Sequence, residues 1–346
     1  MNGQEKIVFG ISKLIEGSSL SREEARGVME AIMGGTSTPA QIGSLLTALR
    51  IKGETVEEIT GFAEVMRQYA SRVDAPIGPL LDTCGTGGSG IHKFNISTAS
   101  AIVAAASSVR VAKHGNRSAS GRSGSADVLE ALGVNIQLSP EQARRCLDHI
   151  GICFLFAQVY HPSMRHAAAP RRELGVRTVF NMLGPLTNPA GADRQLLGIY
   201  DNKRTETIAT VLRELGSKRA LVVSSAEGLD EISISSTTKV SELRNGEVRT
   251  YELTPEMLGL NRHGLSEVSG GGPEENAAII RQVFEGRSGA YRDVVLANSG
   301  ACIYVAGHAD SVQEGVLLAA EAIDSGRALG KLDQLIQTTE ELNYVS

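Results

Sequence analysis

What this sequence has little of excludes several classes of protein. Its 346 residues contain four cysteines, none of them in a CxxC pair, which disfavours a zinc site and is typical of a reducing compartment. No apolar run approaches the roughly 20 residues that a membrane helix needs. The opening MNGQEKIVFG has no apolar run followed by a small-residue cleavage site. We therefore expect a cytoplasmic protein without a membrane segment.

An excess of basic charge is missing as well. The chain carries 34 lysines and arginines against 39 aspartates and glutamates, a formal charge of -5. Proteins whose main partner is a nucleic acid usually present a basic surface, so no nucleic-acid partner is expected. A small anionic substrate is still allowed, because a few local cationic side chains suffice to bind one.

The first seventy residues predict helices. Capping-box spacings occur at Ser21 and Glu24, at Thr55 and Glu58, and at Thr38 and Gln41, the last with a proline at the first helical position. The apolar residues Ile42, Leu45, Leu46 and Leu49 follow at helical spacing. This pattern indicates a small helical domain.

After residue 76 short apolar runs alternate with helical segments, which predicts an α/β fold with a mostly parallel sheet flanked by helices. Ligands of such sheets collect at the carboxyl ends of the strands. The segment 269–275, with three consecutive glycines and a proline, is predicted to be a flexible surface connection. The predicted strands are Leu80-Leu81, Val109–Ala112, Ile152–Phe156, Leu196–Tyr200, Ala220–Val223 and Ile303–Val305.

Two loops after consecutive strands favour phosphate binding. The first, Asp82–Gly90, reads DTCGTGGSG and leads through Asn95–Thr98 into a helix. Its glycines let the backbone approach a ligand, and a helix N-terminus attracts anions. It is neither a P-loop nor a GxGxxG motif. The second loop, Lys113–Ser125, supplies cations and hydroxyls beside it. Ordinary polar turns would also explain both loops.

Two further segments could complete a site. Asp230 and Glu231 follow a predicted strand, and adjacent carboxylates there can hold Mg²⁺ that also contacts substrate phosphates, although acidic pairs are common on surfaces. The long segment His161–Pro189 carries Arg171, which could clamp a carboxylate or be an ordinary solvated arginine.

Taken together, these segments resemble the anthranilate phosphoribosyltransferases of tryptophan biosynthesis, almost from end to end. The motifs that carry the resemblance are GTGG at Gly85–Gly88, NIST at Asn95–Thr98, KHGNR at Lys113–Arg117, SGSADVLEALG at Ser123–Gly133, RRELGVRTVFNMLGPLTNP at Arg171–Pro189 and GLDEIS at Gly228–Ser233.

The resemblance implies a homodimer of two-domain subunits that bind phosphoribosyl pyrophosphate, anthranilate and Mg²⁺. A helical domain would comprise residues 1–74 and about 163–185, and an α/β domain residues 76–160 and 190–346. Anthranilate would contact Gly85, Asn116 and Arg171, in a pocket shaped by His114 and the Gly184-Pro185 turn. The metal ligands would be Ser97, Asp230 and Glu231. The donor would contact Gly85, Gly88, Ser89, Lys93, Asn95, Ile96, Ser97, Thr98, Lys113, His114, Gly115, Asn116, Arg117, Ser118, Ala119, Ser120, Gly121 and Ser125.

The sequence departs from the family pattern at several positions. Ser89 stands where Asp is frequent and Lys93 where Thr is frequent, which makes the donor loop more positive. Other departures are Gly121 and Arg122 for Ser and Lys, Gln158 for Pro, and Ser224-Ser225 for His-Gly. Two rival functions are a nucleoside phosphorylase and a non-catalytic relative that binds nucleic acid. The segment Arg171–Pro189 disfavours the first, and the acidic charge balance disfavours the second.

Overall fold

The computed structural model describes residues 2–75, 77–88, 90–118 and 122–343. The chain begins with four helices, α1 (Gly3–Ile15), α2 (Arg22–Met33), α3 (Pro39–Lys52) and α4 (Val56–Gln68). Each begins at a capping box, so the three predicted boxes are confirmed and a fourth, Asn2 with Glu5, joins them. The predicted apolar stripe of α3 is buried.

A seven-stranded sheet forms the centre of the remaining chain, in the order β3-β2-β1-β4-β5-β6-β7. The first five strands run parallel, and β6 and β7 add an antiparallel hairpin at one edge. This arrangement confirms the predicted fold class. The strands are β1 (Leu81–Gly85), β2 (Val111–Gly115), β3 (Ile152–Phe156), β4 (Arg194–Gly198), β5 (Arg219–Ser225), β6 (Thr238–Arg244) and β7 (Glu247–Leu253).

Helices cover both faces of the sheet. The helices that follow β1 in the chain are α5 (Ile96–Ala106), α6 (Ser125–Leu132), α7 (Pro140–Ile150), α8 (Ala157–Tyr160), α9 (Arg165–Leu174), α10 (Phe180–Leu183), α11 (Thr205–Glu214), α12 (Pro273–Phe284), α13 (Ala290–Ala306), α14 (Val312–Asp324) and α15 (Arg327–Asn343). Short 3-10 turns lie at Pro162–Met164, Gly184–Leu186, Asn202–Arg204, Glu256–Leu258 and Leu265–Val268. Among the described residues, no helix has the length and apolar character needed to cross a bilayer.

The hydrophobic core has two parts. One lies between the sheet and the helices α5, α13 and α15. The other joins α1–α4 to α11 and to the opposite face of β4 and β5, and it includes Ala167 of α9 and Phe180 of α10. The segment 163–185 therefore packs with the N-terminal helices, although it is distant from them in the chain.

One predicted strand is wrong. Ile303–Val305 belongs to α13, which is buried along almost its whole length and so lacks an amphipathic period. A short apolar run inside such a helix cannot be distinguished from a buried strand by pattern alone. The β6–β7 hairpin was not predicted, although Asn245-Gly246, both at positive φ, is a strong hairpin signal.

Candidate active site

Three of the segments singled out from the sequence meet at the carboxyl edge of the parallel strands. Strands β1 and β2 are neighbours, so the two loops that follow them lie side by side, as predicted. The acidic pair after β5 reaches the first loop by passing over Gly198, the last residue of β4. Gly198 and Gly85 are paired in register, and a β-carbon on either would collide with Asp230. Because Gly85 and Gly198 lack side chains, Asp230 can lie against the end of β1.

A buried lysine–carboxylate cluster occupies this position. Lys93 Nζ donates to Asp230 Oδ1 and to Glu231 Oε1, both at 2.8 Å. The Gly87 amide donates to Asp230 Oδ2 at 2.9 Å. Burial opposes ionisation of Asp230, but the adjacent ammonium outweighs it and lowers the pKa of that carboxyl. Burial and the neighbouring Asp230 charge raise the pKa of Glu231. The cluster is a cation held between two carboxylates.

Lys113 lies where the first loop enters α5. Its side chain is buried, and Nζ donates to the Thr83 carbonyl at 2.5 Å and to the Ser97 hydroxyl at 3.2 Å. No side chain of the described residues caps the first turn of α5. Helix N-termini carry unsatisfied N–H groups and a partial positive charge. Because Lys113 also bonds to the Ser97 hydroxyl in that first turn, the start of α5 is suited to binding an anion.

Asn95 supports the loops instead of capping the helix. Its side-chain oxygen accepts from Asn276 Nδ2 at 2.9 Å and from Ser123 Oγ at 3.2 Å, while its amide donates to the Ser123 carbonyl at 3.2 Å. Asn276 in turn accepts from the Gly271 amide at 2.8 Å. One side chain therefore connects the first loop, the second loop and the glycine-rich segment that precedes α12.

That glycine-rich segment was predicted to be a flexible surface connection, and the structure corrects this. Gly271 is buried, and a β-carbon on Gly270 would lie 2.5 Å from the Phe94 α-carbon. The Phe94 amide donates to the Val268 carbonyl, and the Tyr291 ring packs edge-on against Phe94 at 5.1 Å. The glycines serve close backbone approach, which composition alone cannot distinguish from flexibility.

The second loop is closed by Asp127 of α6. This carboxylate accepts from the Gly124 amide at 2.8 Å and the Ser118 amide at 3.1 Å. Arg117, predicted to bind the donor, is ion-paired with Asp127 at 2.9 Å and with Glu130. The arginine is therefore engaged by α6 in this structure and does not join Lys113.

The remaining predicted donor residues have varied surroundings. Ile96 is buried in the core, and the buried Thr98 hydroxyl has no hydrogen-bond partner in the described part of the chain. Asn116 is exposed, and Ser125 Oγ donates to its carbonyl at 3.2 Å. Gly115 is the last residue of β2. The predicted contacts Ser89, Ala119, Ser120 and Gly121 lie outside the described residues.

Two arginines of the long segment after α8 pack on aromatic rings, and one of them lies beside the first loop. Arg171, in the last turn of α9, is half-buried with its guanidinium 5.0 Å from the Phe180 ring centroid. It has no hydrogen bond or ion pair to any described residue, and burial lowers its pKa. Arg177 lies 4.1 Å above the Tyr200 ring, and a β-carbon on Gly88 would lie 3.3 Å from its Nε. The sequence drew attention to Arg171 but gave no reason to select Arg177.

A pair of buried histidines borders the same region. The rings of His114 and His161 are 5.0 Å apart, and neither Nε2 has a hydrogen-bond partner among the described residues. Burial lowers the pKa of His114 to about 3 and that of His161 to about 4, although hydrogen bonds to the backbone oppose this. Both rings are therefore neutral near pH 7. His161 opens the segment His161–Pro189 noted in the sequence, but no role was assigned to it, because nothing in the sequence pairs it with His114.

The chain matches two family models, the helical bundle domain of a glycosyl transferase family over residues 11–70 and its a/b domain over residues 77–329. An anthranilate phosphoribosyltransferase of Acetivibrio thermocellus is 55% identical over 95% of both chains. The solved enzyme of that name from Thermus thermophilus is 46% identical with a TM-score of 0.91, covering 96% of this chain and 99% of its own. The Saccharomyces cerevisiae enzyme, solved with PRPP and Mg, is 28% identical with a TM-score of 0.89, covering 97% and 98%. This chain belongs to the anthranilate phosphoribosyltransferase family.

Proposed function

We propose that this protein transfers the phosphoribosyl group of 5-phosphoribosyl 1-pyrophosphate to the amine of anthranilate, giving N-(5-phosphoribosyl)anthranilate and pyrophosphate. One observation carries the proposal. Lys113, the uncapped start of α5 and the Asp230–Glu231 pair converge at the carboxyl edge of the sheet, where a phosphorylated ligand and its metal ion can bind together. The full-length relatives named above support the same reaction and disfavour the phosphorylase alternative.

The donor is proposed to bind across the two loops, with its phosphates near the start of α5. Lys113 supplies a fixed charge there, and Ser97 and Thr98 supply hydroxyls. Gly88 lets the backbone approach the ligand. Arg177, next to Gly88, adds a second charge that the sequence did not predict.

The residues present fit a magnesium ion. Mg²⁺ prefers oxygen ligands and often binds one or two carboxylates together with substrate phosphates. Asp230 and Glu231 are buried, already hold a cation between them, and would be joined by the Ser97 hydroxyl. The described residues contain no group of three or more His, Cys, Asp or Glu side chains that could hold a metal ion, so substrate oxygens would complete the ligand set. The bound ion would neutralise negative charge on the pyrophosphate.

The residues of this chain are proposed to act by positioning and by charge stabilisation. Lys113 and the N–H groups of the first loop stabilise the charge that grows on the departing pyrophosphate. Arg171 and Asn116 hold anthranilate so that its amine faces the ribose C1 carbon. A neutral aryl amine is already a nucleophile, so we propose no general base. The low pKa values of His114 and His161 support this, since such rings are weak bases.

Arg171 is proposed to bind the anthranilate carboxylate. Its guanidinium is half-buried and packs on the Phe180 ring, but it makes no hydrogen bond or ion pair to a described residue, so its donors remain available to a ligand. An arginine fork matches a carboxylate in two parallel hydrogen bonds. His114, His161 and the Gly184-Pro185 turn would border the ring.

We further propose a cytoplasmic homodimer of two-domain subunits, with a helical domain of residues 1–74 and about 163–185 and an α/β domain of residues 76–160 and 190–346. Packing of α9 and α10 against the N-terminal helices supports this division. Val8, Phe9, Ile15 and Ile51 expose large apolar side chains on α1 and α3, which supports a subunit contact there. Light scattering of the purified protein tests the dimer.

The reaction is tested by following anthranilate fluorescence in the presence of protein, phosphoribosyl pyrophosphate and Mg²⁺. The chain has no tryptophan, so the protein contributes little background emission. Loss of signal that requires all three components and stops with EDTA supports both the reaction and the metal. No loss under these conditions would contradict the proposed function, and nucleobases with phosphate would then be tested.

A further inference from the structure

We propose that Lys93 is a built-in cation of the Asp230–Glu231 pair, which a divalent ion must displace in order to bind both carboxylates. The inference rests on the proposed role of these carboxylates as metal ligands. It concerns the cation that neutralises them before a metal ion binds. It predicts weak divalent-ion binding to the protein alone and a large gain when the Lys93 charge is removed.

The geometry places one ammonium where a shared metal ion would lie. Nζ of Lys93 is 2.8 Å from an oxygen of each carboxylate, so a single cation bridges the two acids. The carboxylate side chains are 2% and 5% exposed, and that of the lysine is 18% exposed. Two adjacent buried carboxylates without a cation would be strongly unfavourable, because each lacks water and repels the other. Lys93 removes much of that cost before any metal arrives.

The contact is also one that can open. Among the described residues, Glu231 accepts a hydrogen bond from Lys93 alone, whereas Asp230 has the Gly87 amide as a second donor. The backbone next to Lys93 is held at Phe94 by Val268 and Tyr291. A lysine ammonium lies at the end of a flexible four-carbon chain, so it can withdraw while its backbone stays in place. Withdrawal frees one oxygen on each carboxylate for a metal ion.

The charge at position 93 is central to this assignment. An uncharged side chain there, such as threonine, would leave the acidic pair without its cation. A lysine here gives the cluster a net charge one unit more positive than a threonine would. Lys93 therefore neutralises part of the negative charge of Asp230 and Glu231 without a bound metal ion.

The test is direct metal binding in the absence of phosphoribosyl pyrophosphate. Mn²⁺ is titrated into the intact protein and followed by the electron paramagnetic resonance of free Mn²⁺, with Mg²⁺ as competitor. We expect Lys93→Gln and Lys93→Thr each to bind Mn²⁺ at least about tenfold more tightly than the unaltered chain, since tenfold corresponds to the loss of a modest competing interaction. Adding Asp230→Asn to Lys93→Gln should abolish the gain, which locates the ion.

Lys52→Gln is the matched control, because Lys52 also bridges to a buried glutamate, in the helical region. It should leave Mn²⁺ affinity unchanged. Metal-free melting adds a second readout: Lys93→Thr should lower the midpoint in EDTA, and Mn²⁺ should restore it. Equal Mn²⁺ affinity in the unaltered chain and both Lys93 variants would overturn the inference, even if the fluorescence assay shows transfer. Conversely, tighter binding in the variants without any transfer by the unaltered chain would contradict the proposed function and leave Lys93 as the resident cation.

Discussion

The molecule contains two buried lysine–carboxylate clusters, one in the N-terminal helices and one at the sheet edge, and they differ in how the acid is held. Glu58 of α4 accepts from Lys52 Nζ at 2.9 Å, from the Leu20 amide at 2.9 Å and from the Thr55 amide at 2.8 Å. Glu231 at the sheet edge accepts from Lys93 alone among the described residues. The same residue types thus form two different kinds of cluster.

The difference is in backbone donors. Glu58 satisfies one amide at the start of α4 and another before α2, so it connects two helix starts and the lysine is an additional partner. At the sheet edge the Lys93 ammonium is the partner that both acids share, and we propose that it exchanges for a metal ion. Glu58 and Glu231 are thus alike in burial and in having a lysine partner but differ in backbone hydrogen bonds, and we propose that this difference separates a structural acid from a ligand-binding one.

The largest effect is expected for Lys113→Met, which tests the limits of this rule. Lys113 is buried and bonded to a backbone carbonyl, as a structural lysine would be, yet it also contacts Ser97 in the proposed donor site. Removing a preorganised charge that stabilises a leaving group typically costs about 10²–10³ in kcat. We expect a loss of that size in the fluorescence assay, with circular dichroism confirming that the variant is folded. A folded variant with kcat close to that of the unaltered chain would place Lys113 with the structural lysines.

Lys52→Gln comes next and concerns stability alone. Removing one partner of a buried ion pair leaves the other charge uncompensated, which typically costs about 3 kcal/mol. We expect the free energy of unfolding in urea to fall by about that amount, with kcat and both KM values unchanged. A clear change in kcat would show that the helical cluster influences catalysis. The two clusters would then not differ in the way proposed.

Arg171→Ala should raise KM for anthranilate roughly tenfold or more, because a hydrogen-bonded charged pair contributes about 1.5–3 kcal/mol. KM for phosphoribosyl pyrophosphate should change little. Arg171 packs on the Phe180 ring but makes no hydrogen bond or ion pair to a described residue, so its removal should weaken the fold only slightly. Arg172→Ala, at the exposed neighbouring position, is the control and should leave both constants unchanged. An equal rise of both KM values in Arg171→Ala would contradict its assignment to anthranilate.

Local features of this fold were predictable, and contacts between distant segments were not. The capping boxes of α2, α3 and α4 depend on residues three positions apart, so the sequence alone identifies them. The loops after β1 and β2 were identified because glycines and cations are concentrated there. The segment before α12, which was predicted to be flexible, instead packs closely on Phe94, which is far away in the chain.

The candidate site shows the same division. Lys93 was expected to contact the donor, but its partners are 137 and 138 positions away. Their approach depends on glycines at the ends of β1 and β4 and on the strand order, neither of which a motif reveals. Arg117 was expected beside the donor, yet two acids of α6, Asp127 and Glu130, engage it. Residue types indicated the chemistry, whereas the fold decided which charges remain free.

The smallest predicted effect concerns the acid stability of the histidine pair. The unfolded chain takes up protons at His114 and His161 below about pH 6.5, whereas the folded chain takes them up only near pH 3 and pH 4. The free energy of unfolding should therefore fall as pH decreases from about 6.5 to about 4. Asp82 opposes this, since burial raises its pKa to about 6 and the folded chain binds that proton first. The two histidines change the free energy of unfolding more than the one carboxyl does, so stability should still fall toward acidic pH.

His161→Asn isolates one of these protons, because the other titrating groups, including Asp82 and His114, are common to both proteins. Between about pH 6 and pH 5 the unaltered chain should lose about 1 kcal/mol more stability than the variant, close to the roughly 1.4 kcal/mol per pH unit for one proton. Urea unfolding at the two pH values measures the difference. Parallel losses in the two proteins would mean that His161 is protonated in the folded chain, and a positive charge would then lie next to the proposed anthranilate pocket.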